Sequence, residues 1–124
     1  MSRFIAISIL VFSIAGFAQT PHMGFGARVF VEPKNDFERI LTASLREEEV
    51  PVIIVDDKNE ADYIIKTTIT QDAGEMFSGF NASMVVIDSR SSQIVFKYSD
   101  DRGGYWGVAY EFAIHLNEFI VKQE

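Results

Sequence analysis

Residues 27–55, ARVFVEPKNDFERILTASLREEEVPVIIV, hold two apolar runs around a segment of helical period, and their order decides the fold. The first run, Ala27 to Glu32, is short, rich in Val and Phe, and stopped by Pro33, as suits a buried strand. Asn35 or Asp36 then stands where a helix cap is wanted. Behind it Phe37, Ile40, Leu41, Ser44 and Leu45 recur at 3.6-residue spacing on one face, with Glu38, Arg39, Arg46 and Glu47 on the other. Glu47, Glu48 and Glu49 close this helix against its own dipole, and Pro51 ends it. Val52 to Val55 is a continuous apolar run bounded by acidic residues, which predicts a central strand covered on at least one face. Strand, helix, strand in this order implies a right-handed parallel crossover.

Downstream, DYIIKTTIT (residues 62–70) alternates, with Tyr63, Ile65, Thr67 and Ile69 on one face and Lys66, Thr68 and Thr70 on the other. It predicts a strand with one wet side. SMVVID (83–88) and QIVFKYS (93–99) are joined by four polar residues, the length of a hairpin connection, and should pair antiparallel. After the Gly103-Gly104 break, Tyr105 to Val121 places Val108, Ala109, Phe112, Leu116, Phe119 and Ile120 at helical spacing, which predicts a second amphipathic helix. The expected fold class is α+β, a two-layer α/β sandwich. One mixed sheet of about five strands, β-α-β followed by a three-strand meander and a closing helix, packs against two helices.

Ahead of the domain stand Arg3, an apolar run from Phe4 to Phe12, and the small residues Ala15, Gly16 and Ala18, the three parts of a secretory signal peptide. The run is shorter than the roughly 20 apolar residues that span a bilayer. The expected organisation is a leader over 1–18, a flexible lead-in over 19–26, and a single domain over 27–124. Cleavage after Ala18 leaves 106 of the 124 residues, enough to bury a core without metals or disulfides. The chain has no Cys, which excludes disulfides, thiolate metal sites and acylation at a mature amino-terminal Cys. The net charge of −7 disfavours nucleic acid and anionic lipid, both of which are bound through accumulated Lys and Arg. Periplasmic or secreted localisation is the expectation, with no cofactor implied and no stable membrane span after cleavage.

Candidate chemistry is sparse. Asp56, Asp57, Glu60 and Asp62 follow an apolar strand, where hard cations find oxygen donors, but the spacing is not that of an EF-hand loop and equally describes a solvated turn. There are two histidines; His115 sits beside Leu116 at a helix edge and His22 falls in the lead-in. No Ser lies in a Gly-x-Ser-x-Gly elbow, so hydrolase chemistry lacks a nucleophile. Tyr105 and Trp106, among Gly103, Gly104 and Gly107 at a helix start, are candidate ligand-binding residues, since such a start can cradle an anion. The structural alternative, favoured here, packs Trp106 onto the sheet. In QDAGEMFSGFN (71–81), Met76, Phe77 and Phe80 interrupt a Gly-containing connection and are candidate partner-binding residues, or they fold back over the sheet end. Asn81-Ala82-Ser83 is a formal glycosylation sequon.

The successive segments RVFVEP, the Asp-Phe-x-x-x-Leu helix, PVIIVDD, EADYIIK, VVIDSRSSQIVFKYS and AYEFAIHL resemble the small periplasmic α+β domains of bacterial envelope proteins. They are similar to the amino-terminal domain of TolB and to the curli-secretion lipoprotein family. The resemblance implies a non-enzymatic envelope module that binds another envelope protein, or itself, through a sheet edge or loop. Two other readings stand beside it. One is a small-ligand or metal-dependent enzyme built on Asp56, Asp57, Asp62, Tyr105 and Trp106 at strand ends. The other is a homo-oligomer that buries the apolar loop against its own copy.

Overall fold

The computed structural model describes residues 23–34, 36–70, 81–100 and 104–123. Strand β1 (Ala27–Val31) leads through helix α1 (Phe37–Glu47) to β2 (Val52–Ile54). A 3-10 turn (Lys58–Glu60) precedes β3 (Tyr63–Thr70), β4 (Asn81–Asp88), β5 (Ile94–Asp100) and the closing helix α2 (Tyr105–Lys122). The sheet order is β2-β1-β3-β4-β5, with β1 parallel to both β2 and β3 and the last three strands antiparallel. This is the expected α+β sandwich with its meander. One position changes: Val52–Ile54, expected as a central strand, is a three-residue strand at the sheet edge. The crossover returns β2 to one flank of β1, and β3 then takes the other flank, leaving β2 with one neighbour.

The alternation along the strands sorts side chains to two faces. Val29, Ile65, Thr67, Ala82, Met84 and Val86 are buried under the helices, meeting Phe37, Leu41 and Leu45 of α1 and Val108, Phe112, Leu116 and Ile120 of α2 in one core. Aromatic rings join the helices to each other and to the sheet edge to face: Phe112 of α2 lies 5.7 Å from Phe37 of α1 and 5.4 Å from Tyr98 of β5. Such contacts add about 0.5–1.5 kcal/mol each beyond area burial. Met23, four residues before β1, is fully buried, and its N–H donates to Oε1 of Gln123 at the end of α2 (2.7 Å). Gly26, at φ +80, makes the turn from Met23 into β1 while its N–H donates to the Pro51 carbonyl.

Helix α1 buries the residues its period selects, Phe37, Leu41, Ser44 and Leu45. Asp36 occupies the cap position without a side-chain cap bond and pairs instead with Arg39 (3.9 Å). The Glu triplet is where the helix unwinds: Glu48 is the C-cap and Glu49 takes φ +55, so that the Val50 N–H returns to the Leu45 carbonyl. That left-handed residue turns the chain towards Pro51 and β2.

The connection from β2 to β3 must travel back past β1. A right-handed crossover in that reversed direction lies on the face away from the helices. Two ion pairs to residues of that face hold it there, Lys58–Glu32 (3.8 Å) and Arg28–Asp62 (3.6 Å). Among the described residues, no other element crosses the rest of the helix-free face, over β3, β4 and β5.

Candidate functional site

Helix α2 buries the stripe its spacing predicts, but its outward side is not wholly polar. One side fills the core, yet Trp106 is 61% exposed, Tyr110 47% and Val121 48%. Trp106 and Tyr110 are four residues apart and therefore neighbours on one helix face. Trp106 thus points to water and does not pack on the sheet as the sequence favours. The cause is the phase of the helix: Val108, Ala109 and Phe112 face inward, which turns residue 106 outward. Its neighbour Tyr105 instead packs edge-on against Phe37 at the start of α1 (5.7 Å). The two candidate ligand-binding residues are therefore not brought together. Tyr110 and Val121 were missed from sequence, although the four-residue step from Trp106 to Tyr110 carries the signal.

Gly104 and Gly107, the glycines here that fall within the described residues, leave open space around their Cα atoms. His115 stacks on Tyr98 with centroids 4.2 Å apart, between Glu111 (3.5 Å) and Glu118 (3.9 Å). It braces the helix edge against β5. Met76, Phe77 and Phe80 lie outside the described residues, as does His22.

The acidic turn disperses. Asp57 accepts the Asn59 N–H (2.9 Å) and so caps the 3-10 turn, while Asp56 and Glu60 are exposed. Asp62 faces back to β1, accepting the Arg28 N–H through Oδ2 (3.1 Å) beside the ion pair from the same residue. That backbone hydrogen bond, with the Arg28 guanidinium, holds the Asp62 carboxyl below its ordinary range against the opposing effect of burial. Among the described residues no three His, Asp or Glu side chains converge as around a metal.

Asp62 does line a cleft of about 320 Å³ with Tyr63, Asp88, Arg90 and residues 24–27. Burial, then Asp88 and Asp62, push the Tyr63 phenol above its ordinary value. Asp88 is engaged by the N–H groups of Arg90 (2.8 Å) and Ser91 (3.2 Å) in the β4–β5 turn. These bonds tie strand ends together, and none of Asp56, Asp57, Tyr105 and Trp106 lines the cleft.

With this geometry in hand, comparison with known proteins shows a shared fold. TolB from Acinetobacter baumannii aligns with 82% of this chain at 12% identity and a TM-score of 0.55, over 30% of its own length. The fold is one that TolB also carries. The resemblance to the amino-terminal domain of TolB therefore holds at the level of fold. The PelC dodecamer from Paraburkholderia phytofirmans aligns with 83% of this chain and 96% of its own at 18% identity, with a TM-score of 0.49. No family model and no curated protein matches the sequence. Among the described residues, no helix is long and apolar enough to cross a membrane.

Proposed function

We propose that this chain is an exported, non-enzymatic module of the cell envelope that binds another protein through the outward face of α2. The observation that carries the reading is the helix's composition: it is apolar on the side that fills the core and again, through Trp106, Tyr110 and Val121, on the side that faces water. A helix whose apolar surface runs on past the stripe that fills the core has room for a second layer on that side, and the fold supplies one layer. Trp and Tyr are also the residues that concentrate binding energy at protein interfaces. The dispersal of the acidic turn, and its separation from Trp106, count against the alternative of a site built from those residues.

The test is a photo-crosslinking amino acid placed at position 106 or 110 in the native envelope, with Ser91 in the exposed β4–β5 turn as the control. One protein captured from both helix positions, absent from the control and bound by the purified chain but not by a folded Trp106→Ser, Tyr110→Ser variant, supports the proposal. Equal capture from all three positions, or unchanged binding by the variant, refutes it.

A further inference from the structure

The strands carry a second mismatch between pattern and packing. Continuous apolar runs belong to strands covered on both faces, and strands open on one side alternate with polar residues. The upper halves of β3, β4 and β5 obey the second rule on the helix-free face, where Thr68, Ser83 and Ser99 are cross-strand neighbours. The lower halves, YII, MVVI and IVF, do not. There Ile64, Ile87 and Ile94 are register partners across β3, β4 and β5, Val85 sits beside them, and Ile94 is 52% exposed. Phe30, paired with Ile64, continues the row on β1 towards the connection that crosses that strand.

Over β3, β4 and β5 the charges on this face have the opposite sign to the molecule's, and the acidic residues of the face belong to β1 and the connection that crosses it. Arg28 is matched by Asp62 and Lys58 by Glu32. Lys66 and Lys97 flank Val85 in the next row of the register, and neither is paired with an acidic side chain among the described residues. A chain of net −7 thus places two ammonium groups, about 10 Å apart at two strand spacings, along the border of its exposed aliphatic row. We infer that the helix-free face is a second docking surface, and that its occupant is an amphipathic helix of a partner protein whose apolar stripe is bordered by Asp or Glu. The row from Phe30 to Ile94 crosses three strand spacings, about 14 Å, which matches about ten helical residues. An anionic bilayer is a poor occupant because the surrounding acidic surface repels it.

The probe is a synthetic 14-residue helical peptide with Leu at i, i+3, i+4 and i+7 spacing and Glu at the flanking positions. Its counterpart carries Lys in place of Glu. Methyl resonances of Ile64, Ile87 and Ile94 are followed by NMR in the purified chain. The acidic peptide should shift these three methyls while leaving Ile53 of β2 in place, and the Lys peptide should not. Lys66→Glu with Lys97→Glu should weaken binding about tenfold, the combined loss of two surface attractions and gain of two repulsions. A conservative Lys66→Arg, Lys97→Arg variant should bind as the parent does. Equal binding of both peptides, indifference to the charge reversal, or shifts confined to α2 would overturn the inference. Shifts of the same methyls on raising protein concentration without peptide would also overturn it, by assigning the face to a second copy of the chain.

Discussion

Truncating two aromatic residues six positions apart on α2 should separate surface from core. Phe112 is fully buried between Phe37 and Tyr98, and Phe112→Ala should cost about 3–5 kcal/mol, the range for large-to-small changes in a packed core. Trp106 is larger but 61% exposed. The two fifths it buries amount to about 100 Å² of a side chain near 250 Å², worth at most about 2.5 kcal/mol at 25 cal/mol/Å². The retained Cβ and the better helix propensity of Ala return about 1 kcal/mol or more, so Trp106→Ala should cost about 1–1.5 kcal/mol. Urea unfolding followed by far-UV circular dichroism measures both, because removing Trp106 leaves the helical signal available. The binding reading needs the stability ranking Phe112 far above Trp106 and the partner-binding ranking reversed. A Trp106→Ala penalty as large as that of Phe112→Ala would show a core residue, and the outward face of α2 would lose its case.

The Thr67 hydroxyl is buried without a hydrogen-bond partner among the described residues, and Thr67→Val should stabilise the domain by about 1 kcal/mol, raising Tm by about 4–8 °C. A lower Tm would mean that the hydroxyl has a partner. Glu49 sits at φ +55, and Glu49→Gly should raise stability by about 0.5–1 kcal/mol, read as a shift in urea midpoint at constant slope. Because the Asp62 carboxyl titrates lower in the folded chain than in the unfolded one, its contribution is full above an ordinary carboxylate pKa near about 4 and fades as pH falls through the folded value. Asp62→Asn should flatten that acid limb in a pH series of urea midpoints. Tyr63 shifts the other way, so stability should decline as pH rises past about 10 while the unfolded phenol ionises first, and Tyr63→Phe should remove that decline.

How far the sequence carries depends on whether a property is set locally or by the neighbours an element acquires. The period in Phe37, Leu41, Ser44 and Leu45 and the alternation in Tyr63, Ile65, Thr67 and Ile69 report which face is inside, and the structure buries or half-buries those residues. Edge or centre is a different kind of property. Val52–Ile54 is as apolar as a central strand, and its place at the rim follows from where β3 docks, which nothing in VIIV encodes. Trp106 fails for a similar reason: its bulk argues for burial, and the phase set by Val108, Ala109 and Phe112 turns it outward. Among the acidic residues, one-dimensional proximity misled. Asp57 and Asp62 are close in sequence, but one caps a turn and the other pairs with Arg28 on β1. The candidate patch at Met76, Phe77 and Phe80 falls outside the described residues.

Both surfaces arise from one property of the fold. Helices cover the sheet on one side, so an apolar side chain has a single place to be buried, and Trp106, Tyr110, Ile87 and Ile94 are on elements whose other side already fills it. The outward face of α2 and the helix-free face of the sheet are separated by the whole thickness of the two layers, about 20 Å for a sheet plus a helix. One partner element cannot lie on both, and substitutions that far apart act independently, usually adding within about 0.3–0.5 kcal/mol. The Trp106→Ser, Tyr110→Ser variant should therefore bind the acidic peptide within about twofold of the parent affinity, and Lys66→Glu with Lys97→Glu should leave crosslinking from position 106 intact. Loss of peptide binding on the α2 substitutions would mean that the two faces are coupled through the sheet or serve one site. The chain would then be a single-partner module, and the apolar row from Phe30 to Ile94 would need another explanation.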